Sequence, residues 1–217
     1  MKKNLRIIEF VGMPGSGKSF FQKKILNKFN KKNIHKNDYK KLSKTKKIIN
    51  IFLFILNNKY FVLKTIFFLI FKVNKQKRNR HFYYFYNEIA LRESFENFRE
   101  KTDVINDEGF LYRSAIYFDR KYKSFELENY LKKIPRIDLI IYLYSKKKSN
   151  FKRTLKRVNG YKYTGYDYEN YHKKEKLLKK MVLLYKKKKM AKFILINNTK
   201  DHTKKNIDRI SKALKYY

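Results

Sequence analysis

Leu5-Arg6-Ile7-Ile8-Glu9-Phe10-Val11 runs straight into Gly12-Met13-Pro14-Gly15-Ser16-Gly17-Lys18-Ser19, and this stretch decides the architecture. The first half reads as a buried strand: short, β-branched and aromatic, and stopped by a glycine. The second half satisfies G-x-x-x-x-G-K-[ST] at every fixed position. The chain has only six glycines and three of them stand here, so a chance match has odds of roughly three in a thousand at the chain's own residue frequencies. Glycines at these places let the backbone turn its N–H groups inward as an anion nest, and the positive end of a following helix adds to the field. Residues 18 to about 30 supply that helix, with Phe20, Phe21, Ile25, Leu26 and Phe29 near helical spacing. The pattern implies a polyphosphate cradle over Gly12, Met13, Pro14, Gly15, Ser16, Gly17, Lys18, Ser19 and Phe20. Lys18 would reach the β- and γ-phosphates, and the Ser19 hydroxyl would complete a Mg²⁺ shell. ATP and Mg²⁺ are the expected ligands. A glycine turn without a ligand is the competing reading, and the flanking strand and helix weigh against it.

Outward from this loop, strand and helix patterns alternate. Asp103-Val-Ile-Asn-Asp107 reads as a short strand ending in acid, Ile137–Tyr144 as a strong strand, and Lys192–Asn197 as the last one. A strand fragment near Ile34 has no fixed place. Helical patterns cover His81 to about Arg99, with Glu88/Arg92 and Arg92/Glu96 spaced i,i+4, then Asn150–Val158 and Asp167 to about Met190. Asp201–Tyr217 closes the chain as an amphipathic helix with Ile207, Ile210 and Leu214 on one face. Such alternation predicts an α/β fold with a parallel sheet covered on both sides.

A chain of 217 residues with 43% hydrophobic content suits one domain carrying an insertion, and argues against general disorder. Cysteine is absent, which excludes disulfides and thiolate metal sites. No signal-peptide pattern precedes the first strand, so a cytoplasmic protein is expected. His35, His81, His172 and His202 are scattered, and no metal site is expected from them. The formal charge of +38 has two readings. One is a compositional bias toward Lys, Asn, Ile, Tyr and Phe; the other is an anionic partner. A nucleic-acid-acting NTPase would rest on that charge alone, since no recognition module is visible.

Residues 31–47 form a polar connector with eight Lys against one Asp. Ile48–Val73 is strongly apolar, in two pieces separated by Asn57-Asn58-Lys59 and interrupted by Lys64. It reads as a helical hairpin packed on the main domain, as a hairpin resting on an anionic membrane surface, or as a span, which the break and the lysines disfavour. Lys72, Lys75, Lys77, Arg78 and Arg80 follow at once and strengthen the membrane-surface reading. The expected division is a core at 1–30 and 99–217, with a basic, apolar helical insertion at 31–98.

Two further groups carry candidate chemistry. Asp107-Glu108-Gly109 lies after a strand, where Asp107 would hold Mg²⁺ or take the acceptor's proton and Glu108 would share the work. An acid-capped turn is the plainer alternative. Arg153 and Arg157 stand four apart on one helical face, suited to the oxygens of a transferring phosphate. Gly160–Tyr171, with five tyrosines, reads as a mobile lid.

These motifs together resemble the P-loop nucleoside and nucleotide kinases, most nearly the thymidylate-kinase-like group. Ile7–Ser19, Val104–Tyr117 and Asp138–Arg157 carry the likeness, and it skips roughly residues 31 to 98. The resemblance implies a five-stranded parallel core, ATP at the carboxyl ends of the strands, and Mg²⁺ as cofactor. It also implies Asp107 as the strand-end carboxylate and Arg153 and Arg157 as lid arginines. Thymidylate kinases place an arginine after that aspartate, where this chain has Glu108. Deoxynucleoside kinases have Glu-Arg-Ser there, against Asp107-Glu108-Gly109 with Arg113-Ser114 a turn later. A fold-level likeness extends to members of bacterial surface-polysaccharide gene sets. The expected activity is γ-phosphoryl transfer from Mg²⁺–ATP to a small acceptor. The alternative is a nucleotide-dependent switch or slow NTPase, peripheral at the inner face of the membrane.

Overall fold

The structure is a computed structural model. It describes residues 6–29, 34–36, 42–71, 73, 75–96, 103–106, 109–118, 124–145, 151–155, 168–188, 191–198 and 202–215. Five strands pair throughout in parallel, in the order β2-β3-β1-β4-β5. They are β1 (Ile7–Val11), β2 (Ile34–Lys36), β3 (Asp103–Asn106), β4 (Leu139–Tyr144) and β5 (Lys192–Asn197). Central β1 is buried along its whole length, which is why its sequence is continuously apolar apart from Glu9. The five-stranded parallel sheet that the resemblance implies is present, four of its strands where the sequence places them. β2 is the three-residue edge strand near Ile34, so the stretch assigned to the insertion in fact contributes to the sheet.

Helix α1 (Lys18–Lys28) and the last helix, α9 (Thr203–Lys215), cover one face through Phe21, Ile25, Ile210 and Leu214. On the other face lie α5 (Phe110–Tyr117), α6 (Ser124–Leu131) and α8 (Tyr168–Lys187), together with α2 (Lys44–Asn57), α3 (Lys59–Phe71) and α4 (Lys75–Glu96). A short helix, α7 (151–155), follows β4. The sequence reading missed α5 and α6 as helices. Each is only two turns long, too short for periodicity to show.

Polar groups fix the edges of this frame. Buried Asp103 receives Arg6 through both guanidinium branches, and the same arginine donates to the Leu214 carbonyl at 2.9 Å, tying β1, β3 and α9. Asp138 accepts from the Ile7 amide at 2.8 Å and from Arg136 at 2.6 Å, so this carboxylate anchors the start of β1.

The apolar hairpin is α2 and α3, broken where the sequence breaks. Ser43 caps α2, and at its end both the backbone N–H and the side-chain amide of Asn58 satisfy the Phe54 carbonyl. The pair bends by 106°, and no described helix is long and apolar enough to cross a membrane. Its inner stripe packs on the domain. Phe61 has ring centroids of Phe54, Phe85, Phe110 and Tyr130 within 5.0–6.4 Å. Asn50 donates to the Ala90 carbonyl, joining α2 to α4. Thr65 meets the Tyr130 hydroxyl at 2.9 Å. Burial pushes that phenol up to about 12, so Tyr130 stays neutral there. Helix α4 starts at Lys75, earlier than expected, so the basic cluster forms its first turns. Phe61→Ala removes the ring at the centre of this aromatic hub and is expected to cost about 3–5 kcal/mol, read from urea unfolding. A loss below about 1 kcal/mol would show that the hairpin does not share the core.

Candidate active site

The glycine-rich loop leaves the carboxyl end of β1, between β3 and β4, the crevice where open parallel sheets bind ligands. Gly15 and Gly17 have φ of 81° and 94°, left-handed values that side-chain-bearing residues avoid. Gly12 is required by contact: a Cβ there would stand 2.5 Å from the Leu143 carbonyl oxygen of β4. At Gly17 a Cβ would run into the Asn198 amide. Lys18 opens α1 and arches back over the loop, its ammonium 2.6 Å from the Gly12 carbonyl and 4.8 Å from the centre of the Tyr112 ring. Ser19 and Phe20 stand exposed in the first turn. The Ser16 hydroxyl is buried with no partner among the described residues.

Two residues that sequence reasoning missed hold the loop from outside. The Tyr171 hydroxyl of α8 donates to the Pro14 carbonyl at 2.7 Å. Asn198, just past β5, donates to the Ser16 carbonyl at 2.7 Å, while its own N–H bonds the Tyr144 carbonyl at 2.8 Å. Tyr171 was read only as one of five lid tyrosines. The signal for Asn198 was its place at a strand end beside the loop. Phe151 of α7 packs edge-on against Tyr171, with centroids 5.5 Å apart, so α7 and its Arg153 are moored to the loop. Arg157 and most of the expected lid lie outside the described residues, as do Asp107 and Glu108.

The described residues on either side of Asp107 and Glu108 in the chain, Asn106 and Gly109, adjoin a buried acidic corner. Buried Glu9 on β1 accepts from the Leu111 N–H at the start of α5, and a Cβ on Gly109 would strike its carboxylate. Gly109 therefore exists for close approach, with an ordinary negative φ of −68°. Burial, then the nearby Glu88, raises the Glu9 carboxyl to about 8, against the pull of Arg92 and the α5 amides. Asn106, out of place in an apolar strand, donates to Glu88 at 2.5 Å. Glu88 and Arg92, the i,i+4 pair of α4, are both buried, and Arg92 donates to the Arg136 carbonyl. Arg113 lies 4.3 Å above the Tyr84 ring, engaging α4.

A second concavity of about 490 Å³ opens between α8 and the sheet, with Tyr142, Tyr144, Ser145 and His172 on its walls. The His172 and Glu175 side chains stand 3.4 Å apart there.

No protein-family model matches the chain, and no curated protein matches it. Solved structures do. The deoxyadenosine kinase from M. mycoides with the products dCMP and a flexible dCDP bound superposes with a TM-score of 0.61 at 16% identity, covering 97% of this chain and 100% of that one. That kinase with dCTP bound gives 0.52 at 15% identity, covering 97% and 100%, and with dATP bound 0.53 at 15%, covering 97% and 99%. The chain shares the fold of that deoxyadenosine kinase over nearly its whole length.

Glu9 gives this corner a pH signature. Its folded pKa stands above its unfolded value of 4.5, so between about 4.5 and 8 the unfolded chain releases a proton that the fold retains. Stability is expected to fall as pH rises through that window and level off above it. In urea unfolding at pH 5, 6.5 and 8, Glu9→Gln should flatten the decline; an unchanged slope would place the titration elsewhere.

Proposed function

We propose that this protein is a Mg²⁺–ATP-dependent phosphotransferase that carries the γ-phosphoryl group to a small hydroxyl-bearing acceptor, with nucleosides the first class to test. The observation that carries the reading is the loop itself. It has two left-handed glycines, a third whose Cβ would collide with β4, and Lys18 above them, at the carboxyl end of the central strand. A Cβ at Gly12 or Gly17 would collide with its neighbours, and Ser16 offers a buried hydroxyl inside the cradle, so the residues present fit a polyphosphate.

Lys18 and the loop amides from Gly12 to Phe20 would bind the phosphates, and Ser19 and Asp107 would hold Mg²⁺, which needs only one or two protein oxygens beside phosphates and water. The metal, when bound, neutralises charge developing between the β- and γ-phosphates. Asp107 or Glu108 would accept the acceptor's proton as its oxygen bonds to phosphorus and the bridge to ADP breaks. Arg153 and Arg157 would steady the equatorial oxygens. A nucleoside suits this corner better than a nucleotide, because Glu108 would repel a phosphorylated acceptor where a thymidylate kinase carries arginine. The kinases with similar folds favour the same branch of the superfamily. We place the enzyme in the cytoplasm. A membrane-surface switch without an acceptor is the second reading, favoured by the outer face of α2 and α3.

Incubation with γ-labelled ATP and a panel of deoxynucleosides, ribonucleosides, mononucleotides and sugars is expected to label a nucleoside monophosphate. Lys18→Ala should lower kcat by about 10²–10³-fold. Tight ATP binding with no labelled product from any acceptor would defeat the kinase reading and leave the switch.

A further inference from the structure

The outward stripes of α2 and α3 are apolar, although both helices already bury an inner stripe. Ile49, Phe52 and Leu56 on α2 and Leu63, Phe67 and Phe71 on α3 are each 52–66% exposed. Spacings of three and four residues on α2, and of four and four on α3, put each trio on one helical face. The Phe67 and Phe71 rings touch, with centroids 4.7 Å apart. Six large apolar side chains this exposed on two adjoining helices call for an occupant, since monomeric soluble proteins seldom leave large apolar patches in water.

The charge around this band selects its occupant. Residues 39–87 contain twelve Lys and Arg and not one Asp or Glu. Lys44 and Lys46 enter α2, Lys59 enters α3, and Lys75 and Lys77 enter α4, all exposed, so cations border the apolar stripes at their ends. A second copy of the chain would bring the same uncompensated positive charge to the contact and be repelled. A surface that is apolar along its helices and cationic at their ends matches an anionic lipid bilayer, acyl chains taking the rings and headgroups the lysines. Packing of the inner stripe on the domain and the 106° bend favour surface contact over a span.

We propose that the α2–α3 face docks the protein on anionic membrane surfaces. This inference does not rest on phosphotransfer, and either can fail alone. Because the chain has no tryptophan, Phe67→Trp installs a single indole reporter. With phosphatidylcholine vesicles containing phosphatidylglycerol, the full-length protein should sediment, and the indole emission of the Phe67→Trp variant should shift blue and be quenched by brominated acyl chains. Pure phosphatidylcholine vesicles should leave it in solution. Phe52→Ser with Phe67→Ser should weaken partitioning about tenfold or more while leaving Mg²⁺–ATP affinity unchanged, and Leu63→Ser with Phe71→Ser should repeat the result. Undiminished binding by both double variants would reduce the effect to adsorption of a polycation and overturn the proposal. No binding by the wild type, equal binding to neutral vesicles, or a solution dimer abolished by the same substitutions would overturn it equally.

Discussion

A loop backbone that only glycine can adopt is the constraint on which the rest depends. The loop between β1 and α1 is closed by glycines at left-handed φ and by one whose Cβ would strike the Leu143 carbonyl. Glycine takes this shape without steric cost but has much freedom to lose, so its surroundings must hold it there. Here Tyr171 and Asn198 pull on the carbonyls of Pro14 and Ser16 from opposite sides, and Lys18 pulls on that of Gly12 from above. With those carbonyls engaged outward and above, the cradle is prepared before a ligand arrives, and preorganisation of this kind reduces the ordering cost of binding. The clamps come from α8 and the end of β5, so the last third of the chain exists in part to support residues 12–19.

A second linkage runs through Glu9. One buried carboxyl on the central strand lies against Gly109, accepts from α5 and feels the charges of Glu88 and Arg92 on α4. Immediately after Gly109, Phe110 enters the aromatic hub of Phe54 and Phe61. The insertion is therefore coupled to the corner that carries Asp107 and Glu108: a shift of α2 or α3 reaches it through one residue.

Much of this was legible in the residues. The loop, β1, β4 and β5 follow from local pattern, since each is a continuous apolar run beside a turn signal, and β5 matches residue for residue. The hairpin break at Asn57-Asn58 was legible because asparagine competes for helix carbonyls. Three things were not. β2 is three residues long and acquires its strand identity from β3, which no window of sequence can show. The role of Asn106 was hidden because its partner, Glu88, lies eighteen residues away on another element. Tyr171 and Asn198 carry no motif, and their role is set by where two distant elements end. The outer stripe of α2 and α3 was visible only as apolarity, because a continuously hydrophobic helix does not tell which side faces the core.

The account stands or falls on residues 12–20 gripping a polyphosphate. Hydrogen–deuterium exchange across amides 15–20, with and without Mg²⁺–ADP, tests this directly. Strong protection of those amides on adding nucleotide, with the α2–α3 amides unchanged, is the predicted result; exchange in the loop indifferent to nucleotide at millimolar concentration would contradict it.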